Sequence, residues 1–138
     1  MRERAPILVA EDDDDDFFLL RRAVRDAGID HPLLRFRDGS ELIRFLEQIP
    51  PAEMGRAAHL PWLAWIDLTM PIVNGFELLE WLRSHRKLPR IRPLVLSGSY
   101  RSADVERAMA LGAVDYLVKP ITPALLRSIA LRQLVRAA

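Results

Sequence analysis

Five short apolar runs recur along the chain: Pro6–Ala10, Leu33–Phe36, Leu63–Ile66, Leu94–Leu96 and Tyr116–Val118. Each is too short for a helix and is bounded by turn-forming residues, so each reads as a buried strand. Helical periodicity fills the spaces between them. Asp15–Ala27 places Phe17, Phe18, Leu20, Val24 and Ala27 on an inward face, and Gly28 closes it. Asp38-Gly39-Ser40 is a turn and cap ahead of a helix over Glu41–Gln48, with Leu42, Ile43, Phe45, Leu46 and Ile49 inward. Asn74-Gly75 is a turn before a helix from Phe76 to His85, with Phe76, Leu78, Leu79 and Leu82 as core contacts. A fourth helix runs from Ser102 to Leu111 and stops at Gly112. Thr122 and Pro123 open the last one, which extends to Val135 with Leu125, Leu126, Ile129 and Leu134 inward. Two stretches lack a period: a long surface loop over Ile49–Pro61 that holds His59, and a basic, proline-punctuated loop over Pro89–Pro93.

Strand then helix, five times over, predicts an α/β fold with a doubly wound, five-stranded parallel sheet. Right-handed crossovers put helices on both faces. The 138 residues fit one domain, 1–138, and no output domain is expected after the last helix. A net charge of +1 gives no long-range field that would point to nucleic acid. The absence of cysteine excludes disulfides and thiolate chemistry. The charged start, Met1-Arg2-Glu3-Arg4, and the acid Glu11 that cuts off the first apolar run argue against a signal peptide or membrane span. A cytoplasmic location is the expectation.

Candidate chemistry stands where the strands end. The first run gives Glu11 and Asp12, the third Asp67, the fourth Ser97 and the fifth Lys119. In open parallel sheets that carboxyl edge is where ligands bind. Taken alone, Asp67 also reads as a turn cap. Asp14, Asp15 and Asp16 suit a helix start, where carboxylates accept free N–H groups and meet the positive dipole end. Glu11 and Asp12 precede that helix and are poorly explained by capping. Three converging carboxylates either raise a pKa or hold a cation. An all-oxygen set favours a hard ion such as Mg2+. Lys119 and the Ser97 hydroxyl are then partners for phosphoryl oxygens on Asp67, whose carboxylate can act as a nucleophile.

On these motifs the chain resembles the receiver domains of two-component response regulators over nearly its full length. The resemblance is carried by Glu11-Asp12, by Asp67 with Met70-Pro71 and Gly75, by Ser97 thirty residues after Asp67, and by Lys119-Pro120 a further twenty-two on. It implies a flavodoxin-like (βα)5 order and a phosphoryl group accepted on Asp67 from a sensor histidine kinase. Mg2+ would be held by Glu11, Asp12, Asp67 and the backbone carbonyl of Thr69. Ser97 would be the switch hydroxyl paired with Lys119, and Tyr116 the switch aromatic; an ordinary half-buried strand tyrosine is the other reading of Tyr116. No separate substrate turnover, direct nucleic-acid contact or membrane contact is implied. The opening Glu11-Asp12-x-x-Asp15-Asp16 and the long loop before the third strand resemble stand-alone receivers that serve phytochrome-type kinases. Thr69 and Ser99 flank the phosphoryl position and influence its lifetime. Asp13 and Asp14 replace less acidic residues, either tightening metal binding or standing solvated.

Phosphorylation implies a switched surface, roughly Ser102–Val135, for a partner or a second copy. Asp104, Glu106, Arg107, Arg127, Arg132 and Arg136 supply opposite charges for a two-fold contact. Three other readings differ in class. An aspartate-nucleophile phosphatase needs a second acid two residues after Asp67, where Thr69 stands. A flavin-binding module needs a phosphate cradle where this chain has six acids. A receiver-like module could serve binding alone, without phosphorylation.

Overall fold

All four residues of β1, Ile7–Ala10, are buried, as expected of a strand covered on both faces. The computed structural model describes residues 6–49, 62–85 and 91–129. In chain order β1 is followed by α1 (Asp14–Asp26), β2 (Leu33–Phe36), α2 (Gly39–Glu47), β3 (Trp62–Ile66) and α3 (Gly75–Ser84). Then come β4 (Ile91–Ser97), α4 (Ser102–Ala110), β5 (Asp115–Val118) and a helix α5 over residues 123–129. The strands form one parallel sheet in the order β2-β1-β3-β4-β5.

Strand residues alternate between two cores. Leu8, Ala10, Ala64, Ile66 and Val95 face α2, α3 and α4 through Leu42, Leu46, Leu78, Leu79 and Ala108. Ile7, Val9, Leu63, Trp65, Leu94, Leu96 and Leu117 face α1 and α5 through Leu20, Ala23, Val24, Leu126 and Ile129. The doubly wound arrangement read from the sequence is therefore observed. Each fully buried leucine in these layers contributes about 1.5–3 kcal/mol.

Several local expectations are corrected. Phe18 is 63% exposed rather than inward. Leu20, Ala23 and Val24 already complete the stripe on α1, and Phe18 lies off it. Helices α2 and α3 begin earlier than expected, because Asp38 and Asn74 are their N-caps. The Asp38 carboxylate accepts from Glu41 N–H at 3.0 Å. Asn74 and Glu77 bond each other reciprocally, at 2.9 and 3.1 Å.

Residues 91–93, expected in a loop, are strand. Pro93 is tolerated there because its carbonyl accepts from Val114 N–H on the β5 side, at 2.7 Å. Its missing N–H points to that same side, where the ladder to β5 starts only at Leu94. The loop expected over 50–61 with His59, and the final turns of the last helix with Arg132, Leu134 and Arg136, lie outside the described residues.

Candidate functional site

The strand order reverses at β1, so α1 and the following connections leave a crevice at the carboxyl ends of β1 and β3. Glu11 and Asp12 follow β1 there, and Asp67 follows β3, its N–H donating to Ala10 O at 3.0 Å. Glu11, Asp12 and Asp67 each offer a carboxylate oxygen within 4.8 Å of the others. Glu11 and Asp67 are buried and Asp12 is exposed. Three oxygens at that spacing, one open to solvent, fit a hard divalent ion that keeps several waters.

The six consecutive acids divide their work. Asp13 caps α1, accepting from Asp16 N–H at 2.8 Å. Asp14 pairs with Arg35 at 2.8 Å and with Arg37 at 3.0 Å, and those guanidiniums hold its carboxyl below the usual range. Neither Asp13 nor Asp14 joins the metal-type cluster. Arg35 also donates to the Glu11 carbonyl at 3.0 Å and lies over the Phe17 ring at 4.7 Å, so β2 anchors the acidic loop. This role of Arg35 was not read from the sequence.

Lys119 enters from the other side, on the segment after β5. Its Nζ lies 2.5 Å from Glu11 Oε1, 2.7 Å from Asp16 Oδ2 and 3.7 Å from Asp67 Oδ2. The sequence placed Lys119 beside Asp67 but gave no hint of Asp16, which it assigned to the helix start. Burial works against the lysine's charge, but hydrogen bonds to Asp16 and Glu11 outweigh it and hold the ammonium above the ordinary range. Glu11 is pushed up to about 7 by burial, with Asp67 adding and Lys119 opposing. Burial also raises Asp67, against the pull of Lys119.

Ser97 is buried at the end of β4, and its Oγ accepts from Ser99 N–H at 3.1 Å. Ser99 is tied down further. Its hydroxyl donates to Asp104 Oδ2 at 2.5 Å, and its carbonyl accepts from Tyr116 Oη at 2.8 Å. Tyr116 is half-buried on the edge strand β5. Thr69 is exposed, and its N–H donates to Asp67 Oδ1 at 3.4 Å.

The turn behind Asp67 is tight. Ile72 adopts φ 66°, a left-handed conformation that strains a β-branched residue by about 1–3 kcal/mol. Gly75 N–H donates to Leu68 O at 3.0 Å.

Metal binding at this cluster must compete with a proton. Burial pushes the Glu11 carboxyl up to about 7, and a carboxylate has to lose its proton to ligate. Affinity for a divalent ion is therefore expected to rise about tenfold per pH unit well below 7 and to level off above, with about one proton released. Calorimetry in buffers of different ionisation enthalpy measures both quantities. A flat profile from about pH 5.5 to 8 would show that the ion displaces no proton from Glu11.

A parallel, doubly wound sheet with three carboxylates and a lysine at its switch point defines the class: a flavodoxin-like α/β protein with an acidic site on the carboxyl edge. Residues 7–131 match the response regulator receiver domain, and the chain belongs to that family. It is a receiver of two-component signalling, and a part in phosphorelay signal transduction fits the match.

Response regulator Rcp1 of Synechocystis sp. is 33% identical over 113 residues, covering 82% of this chain and 75% of that protein. The transcriptional regulatory protein GltR of Pseudomonas aeruginosa is 41% identical over 61 residues, which is 44% of this chain but only 25% of GltR. Among solved structures, the Mn(2+)-bound form of Rcp1 superposes with TM-score 0.74 at 29% identity, covering 94% of each chain. The phosphorylated cyanobacterial phytochrome response regulator RcpA gives 0.74 at 28%, covering 98% of this chain and 96% of that one. The bacteriophytochrome response regulator AtBRR gives 0.77 at 27%, covering 97% and 94%. The donor set here is likewise of the kind that holds a divalent ion.

Proposed function

We propose that Asp67 is the phosphoacceptor of this receiver and that a sensor histidine kinase of the phytochrome type is its donor. The observation that carries this is the grouping of Asp67 with Glu11 and Asp12 within 4.8 Å, beside a lysine 3.7 Å from Asp67. An Asp67 carboxylate oxygen attacks the phosphorus, and the bond to the donor nitrogen breaks with its electron pair. The other ring nitrogen of the donor carries a proton beforehand, so the donor leaves as neutral histidine. Mg2+, when bound by Glu11, Asp12, Asp67 and the Thr69 carbonyl, supplies charge neutralisation at the phosphoryl oxygens. Lys119 supplies a further fixed charge and the Ser97 hydroxyl a hydrogen bond. No turnover of a separate substrate is part of this reading.

Exposed Leu19 borders a cavity of about 490 Å3 lined by Leu20, Leu96, Pro120 and Ile121, with Glu11 and Lys119 at its wall. A kinase approaching there would bring its phosphohistidine to the acidic crevice. Among the described residues no helix is long and apolar enough to cross a membrane. A cytoplasmic setting suits a kinase-fed receiver.

Once phosphorylated, Ser97 turns from Ser99 N–H to the phosphoryl group, because only a contact made in one state shifts the equilibrium. Tyr116, bonded to the same Ser99, follows. The α4–β5–α5 surface then binds a partner or a second copy. Met109, Val114 and Val118 stay exposed there. Two of the charges expected to serve a dimer are engaged locally: Asp104 with Ser99, and Arg107 over Phe76 at 4.1 Å.

Incubation with acetyl phosphate and intact-mass measurement tests the proposal. One phosphoryl group is expected with Mg2+ and almost none after chelation. No gain under either condition would leave a receiver fold that serves binding alone.

A further inference from the structure

Lys119 has more acid around it than a phosphorylation site needs. Its ammonium sits between Glu11 and Asp16, at 2.5 and 2.7 Å, and stands 3.7 Å from Asp67. Asp16 is in the first turn of α1, beyond the three-carboxylate cluster. Its side chain is 40% exposed while Lys119 is 19% exposed, so Asp16 approaches the lysine from the solvent side of the crevice.

We propose that Asp16 is a positioning residue that parks Lys119 away from Asp67, and so sets how readily the site takes a metal ion and then a phosphoryl group. Two steps follow from the geometry. A divalent ion arriving at Glu11 and Asp67 displaces the lysine from the oxygens it needs. Asp16 then retains the ammonium, so the lysine does not have to be expelled into solvent or left facing the cation. When a phosphoryl group forms on Asp67, the lysine must leave Asp16 for the new oxygens, and Asp16 opposes that movement. Asp16 thus favours metal binding and disfavours the phosphorylated state. The second half of this inference rests on Asp67 as phosphoacceptor; the first does not.

The opposite signs give the test. Mg2+ affinity and, at saturating Mg2+, fluoroberyllate affinity are measured by intrinsic tryptophan fluorescence on wild type, Asp16→Asn, Asp16→Glu and Asp15→Asn. In Asp16→Asn, Mg2+ binding is expected to weaken about two- to fivefold, because Lys119 then rests wholly on the metal's oxygens. Fluoroberyllate is expected to bind about three- to tenfold tighter, because the lysine is free to meet it. These modest ranges are those of a partly exposed ion pair, which solvent screens. Asp16→Glu should restore both values towards wild type. Asp15→Asn, with the same charge change, should move neither.

Weakening of both ligands together in Asp16→Asn would mean that Asp16 only shapes the start of α1, and would overturn the proposal. So would an unchanged pair of values, or an equal response in Asp15→Asn. If wild type binds Mg2+ but no fluoroberyllate, the phosphoacceptor reading fails and the Mg2+ arm alone judges Asp16. If wild type binds neither, both readings fall.

Discussion

Asp67→Asn is expected to accept no phosphoryl group from acetyl phosphate, while wild type gains one in the presence of Mg2+. The amide differs from the carboxylate by one charge and almost nothing in shape, so the fold is kept and the nucleophile is lost. A loss of at least about a thousandfold in rate is expected, the usual scale when a covalent nucleophile is removed. The variant should also be slightly more stable. Burial raises the Asp67 pKa and the charge of Asp12 adds to it, so its charge is held against desolvation and like-charge repulsion. Lys119 compensates in part from 3.7 Å. A rise of about 1 kcal/mol, or about 2–4 °C in Tm for a domain of this size, is expected. Intact mass and thermal unfolding check the two halves separately. A stable variant that still gains a phosphoryl group would move the acceptor elsewhere.

Gly75→Ala is expected to be the most damaging single-methyl change near the site. A Cβ at that position would lie 2.5 Å from the Asp67 carbonyl oxygen and 2.6 Å from Leu68 Cα. Both are backbone atoms, so neither can rotate away as a flexible side chain would. Either α3 lifts off the turn, breaking the Gly75 N–H bond to Leu68 O, or the backbone of Asp67 shifts. Overpacking of this kind costs about 1–3 kcal/mol, and a displacement of Asp67 by about 1 Å can cost a hundredfold in rate. Urea unfolding should show the lower midpoint with an unchanged slope, and phosphorylation by acetyl phosphate should slow. Gly28→Ala serves as the comparison. Nothing lies within 4 Å of its added carbon, and its cost arises only from φ +74°. If Gly75→Ala matched wild type in both assays, the close approach of α3 would not hold Asp67 in place.

The sequence by itself determined the five buried strands, their helices and the doubly wound sheet, because each strand is too short and too apolar to be anything else. It also determined which residues end the strands. In a parallel sheet all strand ends of one kind lie on one edge, so Glu11, Asp12, Asp67, Ser97 and Lys119 were grouped without any contact being known. Helix starts were read less well: Asp38 and Asn74 cap through bonds to residues three positions on, which shift the boundary by one or two residues.

Tertiary structure alone decided how the acids divide. Asp13, Asp14 and Asp16 are the same residue within four positions, yet they cap a helix, pair with Arg35 of β2 and Arg37 just after it, and hold a lysine a hundred and three residues away. Successive residues of a helix point about 100° apart, so neighbours in a charged run face different elements. Which element each one meets depends on where β2 and β5 fall in the sheet. The same reason hid Arg35 and exposed Phe18. A run of like residues fixes only composition, whereas the partner of each is chosen by strand order and by the rotation of α1 against the sheet.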